Sequence, residues 1–226
     1  MDYTFHFGEV LRYWPLLVTG LVNTLLFSVV AMAGGAALGM VGAVARNARN
    51  PVLRAAAAFY VELIRKTPLL VQLFVAFFVL PSLGLRLTAT QAALLALVLN
   101  NGAYMTEIVR AGLESIHNSQ REAAVSLGLT TFQTFCWVTI LQALDKVYPA
   151  ILSQFILLML SSSIISAIGA DELTAFGSRI QSDTFRPLEV YLICALLYLG
   201  LTYLVRGALQ GLALVLFPRR LALRRL

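Results

Sequence analysis

A chain of 226 residues that is 59% hydrophobic, 12% charged and +0.82 in mean hydropathy has more apolar surface than a soluble fold of its size buries. The composition excludes a soluble globular protein and predicts an all-α integral membrane protein. A net charge of +6 and a pI near 9.7 do not point to nucleic acid, because the basic residues sit at the ends of apolar runs rather than among exposed aromatics.

The N-terminal stretch Met1–Tyr13 carries Asp2 and Glu9 but no basic n-region, and the apolar run after it is too long for a signal-peptide core, so no cleaved leader is expected. A first span is predicted over about residues 16–42. It holds Gly34, Gly35, Gly39 and Gly42, and the Gly35–Gly39 step favours close packing of a second helix. The second span, about 58–80, opens with Glu62, Arg65 and Lys66 and should kink at Thr67-Pro68, its charges snorkelling or pairing. The third, about 90–109, holds Asn100 and Asn101 roughly 15 Å deep, near the midplane.

A polar segment of about residues 110–146 follows. Ser119 with Glu122 spells a capping box, Gly128 reads as a helix stop, and Thr130 with Gln133 spells a second box, so 119–144 reads as helix, tight turn and helix. Ala123, Ala124 and Val125 give the first helix little bulk, so another protein could approach closely. An ordinary hairpin lying on the membrane fits the same spacing. The fourth span, about 147–168, carries Ser161, Ser162 and Ser163 in its outer half, and the fifth covers about 188–216. No linker, repeat or low-complexity tract divides the chain, so 1–226 reads as one transmembrane domain.

Five spans put the termini on opposite sides. Twelve basic residues fall on one side, including Arg219, Arg220, Arg224 and Arg225, against Arg12, Arg86, Arg179 and Arg186 on the other. The positive-inside rule then places the N-terminus outside and the C-terminus and the 110–146 segment in the cytoplasm.

Polar side chains inside apolar spans are the candidates for a transport path, because they seek protein or a wet cavity. Asn100, Asn101, Ser161, Ser162 and Ser163 could each hydrogen-bond a zwitterion, and Gln72 is a further candidate. Interhelical hydrogen bonding is the competing role, and it fits the serines better than a ligand role does. Neighbouring helix positions point about 100° apart, so only one asparagine should face a cavity. His6 and His117 are isolated, and Cys136 and Cys194 offer neither a disulfide framework nor a thiolate site, so no metal centre is expected. A membrane enzyme would need a buried His, Asp or Glu constellation that the spans lack, and there is no phosphate-cradling glycine loop. A purely structural subunit would not need the doubly capped segment.

Three stretches carry a resemblance. Arg65-Lys66-Thr67-Pro68-Leu69-Leu70-Val71-Gln72-Leu73-Phe74, Ala103–Gly112 with Gln120-Arg121-Glu122-Ala123-Ala124 and Leu127-Gly128-Leu129, and Thr184–Tyr191 are similar, in this order, to the polar amino acid group of ABC importer permeases, the histidine and glutamine type. The resemblance implies a multi-pass subunit of the bacterial inner membrane that pairs with a second permease subunit, as homo- or heterodimer. It also implies two cytoplasmic ATPase subunits, which carry ATP and magnesium, and an external binding protein that delivers an amino acid. The chain itself would hold no cofactor and catalyse nothing. Glu122, Ala123, Ala124 and Gly128 would couple it to the ATPase, with Glu122 also able to serve as a plain cap.

Two departures stand out. Ile140-Leu141-Gln142-Ala143 lacks the family's usual proline, which predicts a straighter exit from the coupling segment, and Leu160-Ser161-Ser162-Ser163 lacks the charged pair common in the fourth span.

Overall fold

The computed structural model describes residues 4–216, with side chains through Leu214. Arg219, Arg220, Arg224 and Arg225, which carry part of the charge asymmetry, lie outside the described residues. A short helix α1 (Phe7–Leu11) leads into α2 (Trp14–Arg46), which enters on Pro15 in its first turn, where a missing N–H costs no bond. Next come α3 (Pro51–Arg65), capped by the Asn50 side chain, and α4 (Leu69–Ser82), which contains a π-helical turn at Val75–Val79. Helix α5 (Ala89–Glu114) starts on a Thr88–Gln91 capping box, and α6 (Asn118–Ser126) is short. Helix α7 (Thr131–Ile168) runs through a π-helical turn at Thr134–Thr139 and past Pro149 to a 3₁₀ end, followed by α8 (Leu173–Thr184) and α9 (Pro187–Leu216).

Helices α2, α5, α7 and α9 are each long and apolar enough to cross a membrane. The α3–α4 pair meets that test only as a broken span, with the two halves at 107°. The sharp turn follows from Pro68, which has no N–H to continue the ladder and holds Thr67 out of the helical region. Pro68 is extended (φ −63°, ψ 140°). Thus the stretch read as one kinked helix is two helices at nearly a right angle. At the other departure from the family pattern, Ile140–Ala143 lies within uninterrupted helix, in line with the missing proline.

The core is set by α2 against α5. A methyl group built on Gly35 would stand 2.4 Å from Asn101 Nδ2, and one on Gly39 would stand 2.4 Å from Met105 Cβ and 2.8 Å from its backbone carbonyl carbon. The small-residue stripe therefore works as close packing. At the α8 end of the bundle the fully buried Glu172 caps α8, accepting from the Ala175 N–H at 2.7 Å and the Tyr198 hydroxyl at 2.6 Å, so α2, α8 and α9 close around it with Thr24. Burial pushes its carboxyl up from the ordinary range, against the hydrogen bonds that pull it down.

Candidate functional site

The break between α3 and α4 leaves carbonyls without helical partners, and Gln72 supplies them. Its Nε2 donates to the Ile64 carbonyl at 2.8 Å and the Thr67 carbonyl at 3.0 Å, while its Oε1 accepts from Asn100 Nδ2 at 3.0 Å. One amide thus ties the break to the middle of α5. One residue on, the fully buried Asn101 donates to the Ala31 carbonyl on α2 at 3.3 Å and accepts from Gln154 Nε2 on α7 at 3.1 Å. The two asparagines diverge as adjacent helical positions must.

A cavity of about 320 Å³ opens beside the half-buried Asn100. Thr67, Pro68 and Leu69 come from the break, Asn100 and Tyr104 from one face of α5, and Gln154, Leu157, Leu158 and Ser161 from α7. The lining offers amides and hydroxyls, donors and acceptors together, and no charged side chain. The charge lies just beyond it, where the Arg65 guanidinium stands 5.3 Å over the Tyr104 ring and Glu107 pairs with Arg110 at 2.8 Å, Arg46 at 3.6 Å and Arg65 at 4.0 Å.

The second candidate surface is α6. Its N-cap is His117, whose ring Nδ1 accepts from the Ser119 N–H at 3.3 Å. Ser119 is already inside the helix, so the expected Ser119–Glu122 capping box does not form, and Glu122 stands exposed without a capping role. The competitor that displaced it, an imidazole acceptor two residues earlier, is rare enough as a cap to be overlooked.

The stop is as expected. Gly128 takes φ 81°, its N–H donates to the Val125 carbonyl at 2.9 Å, and the Leu129 N–H donates to the Ala124 carbonyl at 3.2 Å. The Thr130–Gln133 capping box is also present, at the start of α7. Lys146 Nζ donates to the Ser115 carbonyl at 2.7 Å, fastening α7 to the end of α5 that carries this hairpin. Ala123 is exposed, but Ala124 is only 4% exposed and turns toward the body of the protein, which narrows the expected small-residue face.

Residues 35–213 match the family described as the binding-protein-dependent transport system inner membrane component. The chain belongs to this family of ABC transporter permeases. The permease is 35% identical over 200 residues to the glutamine transport system permease protein GlnP of Escherichia coli (strain K12), a match covering 88% of this chain and 91% of the relative. It is 38% identical over 189 residues to the probable glutamine ABC transporter permease protein GlnM of Bacillus subtilis (strain 168), covering 84% and 88%. Among solved structures it is similar to an amino acid ABC transporter crystallised with histidines, at 36% identity and a TM-score of 0.87 over 96% of this chain and 100% of that one. An inward-facing MetNI methionine ABC transporter shares the fold, with 22% identity and a TM-score of 0.77 over 91% and 98%. The permease is thus a multi-span protein of the bacterial inner membrane, as the sequence reading held.

Of the residues singled out from the sequence, the structure brings Asn100 and Ser161 to one cavity, ties Gln72 to Asn100 behind its wall and joins Asn101 to the layer beside it. It leaves Ser162 and Ser163 outside that group. Their hydroxyls donate to the Met159 carbonyl at 2.7 Å and the Leu160 carbonyl at 2.8 Å on their own helix. Tyr104, Gln154 and Thr67 were not singled out as site residues from the sequence, Thr67 being read only as part of a kink. Spacing held a signal for two of them, since Tyr104 is one turn from Asn100 and Gln154 lies two turns before Ser161.

Proposed function

We propose that the permease imports a polar amino acid into the cytoplasm and that the Asn100 cavity is part of the path. The observation that carries this reading is an uncharged cavity lined by two amides and several hydroxyls, wedged between a broken helix and two spans. Broken helices at membrane depth characterise transporter sites, where irregular backbone is tolerated against a cavity. A neutral lining suits a side chain that is itself an amide, in keeping with the names of the glutamine permeases. Thr67 and Gln72 would sense movement of α4 against α5.

In this reading two such subunits line the pore, two cytoplasmic ATPase subunits bind ATP and magnesium, and an external binding protein hands over the substrate. Glu122, Ala123, Ala124 and Gly128 form the joint: α6 docks on the ATPase, and closure of the ATPase pair swings the spans as rigid bodies to give alternating access. Ala124 contributes by holding α6 to the body and Ala123 by close outward contact. The N-terminus lies outside and the α6 end in the cytoplasm, as the basic residues suggest.

The test is uptake of labelled glutamine by the complete transporter in vesicles. Asn100→Leu should raise the half-saturating substrate concentration by about tenfold, the loss of one or two hydrogen bonds, with normal assembly. Asn101→Leu should instead lower the amount of assembled complex, because it strands Gln154 and crowds Gly35. Unchanged uptake by Asn100→Leu would remove the cavity from the path. Impermeant thiol labelling of a cysteine at Ser178, but not at Ser119, checks the orientation.

A further inference from the structure

A second cavity, of about 770 Å³, lies at the α6 end between the close of α2, the close of α5, α6 and the start of α7. It is unrelated to the Asn100 layer. Its walls are largely apolar, with Ala43 and Val44 from α2, Leu113 from α5, Val125 from α6 and Phe135 from α7. Val44, Val125 and Phe135 are 71%, 58% and 43% exposed, so the apolar lining is open rather than sealed. This space is more than twice the volume of the Asn100 cavity, within the range that takes a ligand with a long apolar part.

Two polar features mark the wall. Thr134, in the π-helical turn of α7, has a buried hydroxyl with no hydrogen-bond partner among the described residues, a condition that costs about 1–3 kcal/mol unless something meets it. Arg121 lines the same space. Its Nη2 donates to the Leu113 carbonyl at 3.1 Å, which anchors the guanidinium, yet it makes no ion pair among the described residues. Every other polar neighbour is engaged or neutral: Glu114 is held by Arg110 at 2.7 Å, and Asn47 Nδ2 donates to the Ala43 carbonyl at 3.2 Å. An anchored cation without a carboxylate, at the mouth of an apolar space where spans end, is complementary to an anionic head on an apolar chain.

We propose that this cavity binds one anionic phospholipid from the leaflet at the α6 end. The phosphate rests on Arg121 and an acyl chain lies along Val44, Val125 and Phe135. The lipid would then brace α6 against α2 and α7, making the stiffness of the coupling segment depend on bilayer charge. The choice of leaflet rests on the orientation proposed above, whereas binding itself does not.

The experiment uses the assembled transporter, delipidated in detergent and titrated with phosphatidylglycerol or phosphatidylcholine under native mass spectrometry. The wild type should favour phosphatidylglycerol by about tenfold, as expected for one phosphate–guanidinium contact, and Arg121→Gln should erase most of that preference. Val44→Trp, which fills the cavity from an exposed position, should lose one lipid per copy of this chain. Should either variant fail to assemble, a phosphatidylglycerol carrying a photoreactive acyl chain is used on the wild type, and label must appear on the peptides holding Val44 or Phe135. Equal binding of both lipids, unchanged retention in both variants, or label elsewhere overturns the proposal. So does lipid that binds the isolated permease but leaves when the ATPase assembles, since the cavity would then be a protein contact. Substrate uptake is no part of the readout, so failure here leaves the transport reading standing, and the reverse.

Discussion

In the α6 hairpin the side-chain caps join groups two or three residues apart, as from the Ser119 N–H to His117 and between Thr130 and Gln133. In the layer around Asn100 the amides join residues 28, 53 and 70 positions apart. The hairpin is largely exposed and its caps and stop are encoded locally, so its shape depends less on how the spans pack. The amide layer exists only when α2, α4, α5 and α7 are already packed. A fault in packing should therefore reach the layer first, and a fault in the hairpin should reach coupling while leaving the layer intact.

Four changes probe that division. The largest effect is expected from Gly39→Leu, because even a Cβ there would meet the Met105 backbone at 2.8 Å and backbone cannot step aside. The cost should be about 3 kcal/mol or more, the upper range for overpacking, and should appear as loss of folded permease in a thermal unfolding assay. If Gly39→Leu kept its stability while uptake fell, the division between packing and coupling would be wrong.

Gly128→Val comes next. Nothing lies within 4 Å of a methyl group at this position, so the whole effect is the backbone penalty of φ 81°, about 1–2 kcal/mol and more for a β-branched residue. The spans should insert normally, while ATP-driven uptake falls by about an order of magnitude relative to hydrolysis, as a displaced joint implies. Normal uptake would mean that α6 is not the joint.

Glu172→Gln tests the other end of the bundle through pH. Burial raises the carboxyl of Glu172 above its unfolded value, so its contribution to stability is fully present below the unfolded value and is lost as pH rises through the folded one. The Gln variant can keep the Ala175 N–H contact without the charge. Thermal stability of the wild type should therefore decline relative to the variant as pH rises from the acidic side, and parallel curves would show that Glu172 titrates normally.

The smallest effect belongs to Thr130→Ala. It removes one capping box at the surface, worth about 1 kcal/mol, and should loosen the first turn of α7 in hydrogen exchange while leaving melting of the spans nearly unchanged. A drop in global stability would mean that the hairpin is not energetically separate.

The contrast also explains what could be read in advance. The all-α class, the long apolar helices, the Gly35–Gly39 packing step, the Gly128 stop and the Thr130–Gln133 box are written in composition, periodicity or a few adjacent residues, where backbone sterics and burial leave little choice. The divergence of Asn100 and Asn101 follows from helix geometry alone. Tertiary packing decided the rest. A proline announces a break, but its 107° angle is seen only in the fold, where α3 lies on α5 with Tyr60 donating to the Leu99 carbonyl at 2.7 Å. Ser162 and Ser163 look like Ser161 in sequence, yet rotation along α7 gives a cavity to one and helix carbonyls to the others. His117 is the cap in place of Ser119 because the helix begins at Asn118, one residue earlier than the Ser119–Glu122 pattern implies, so the Ser119 N–H is itself the donor that the imidazole meets. Gln154, an unremarked amide in an apolar span, became the partner of Asn101 because a buried amide must find a donor or acceptor, and only the assembled bundle says which one is near.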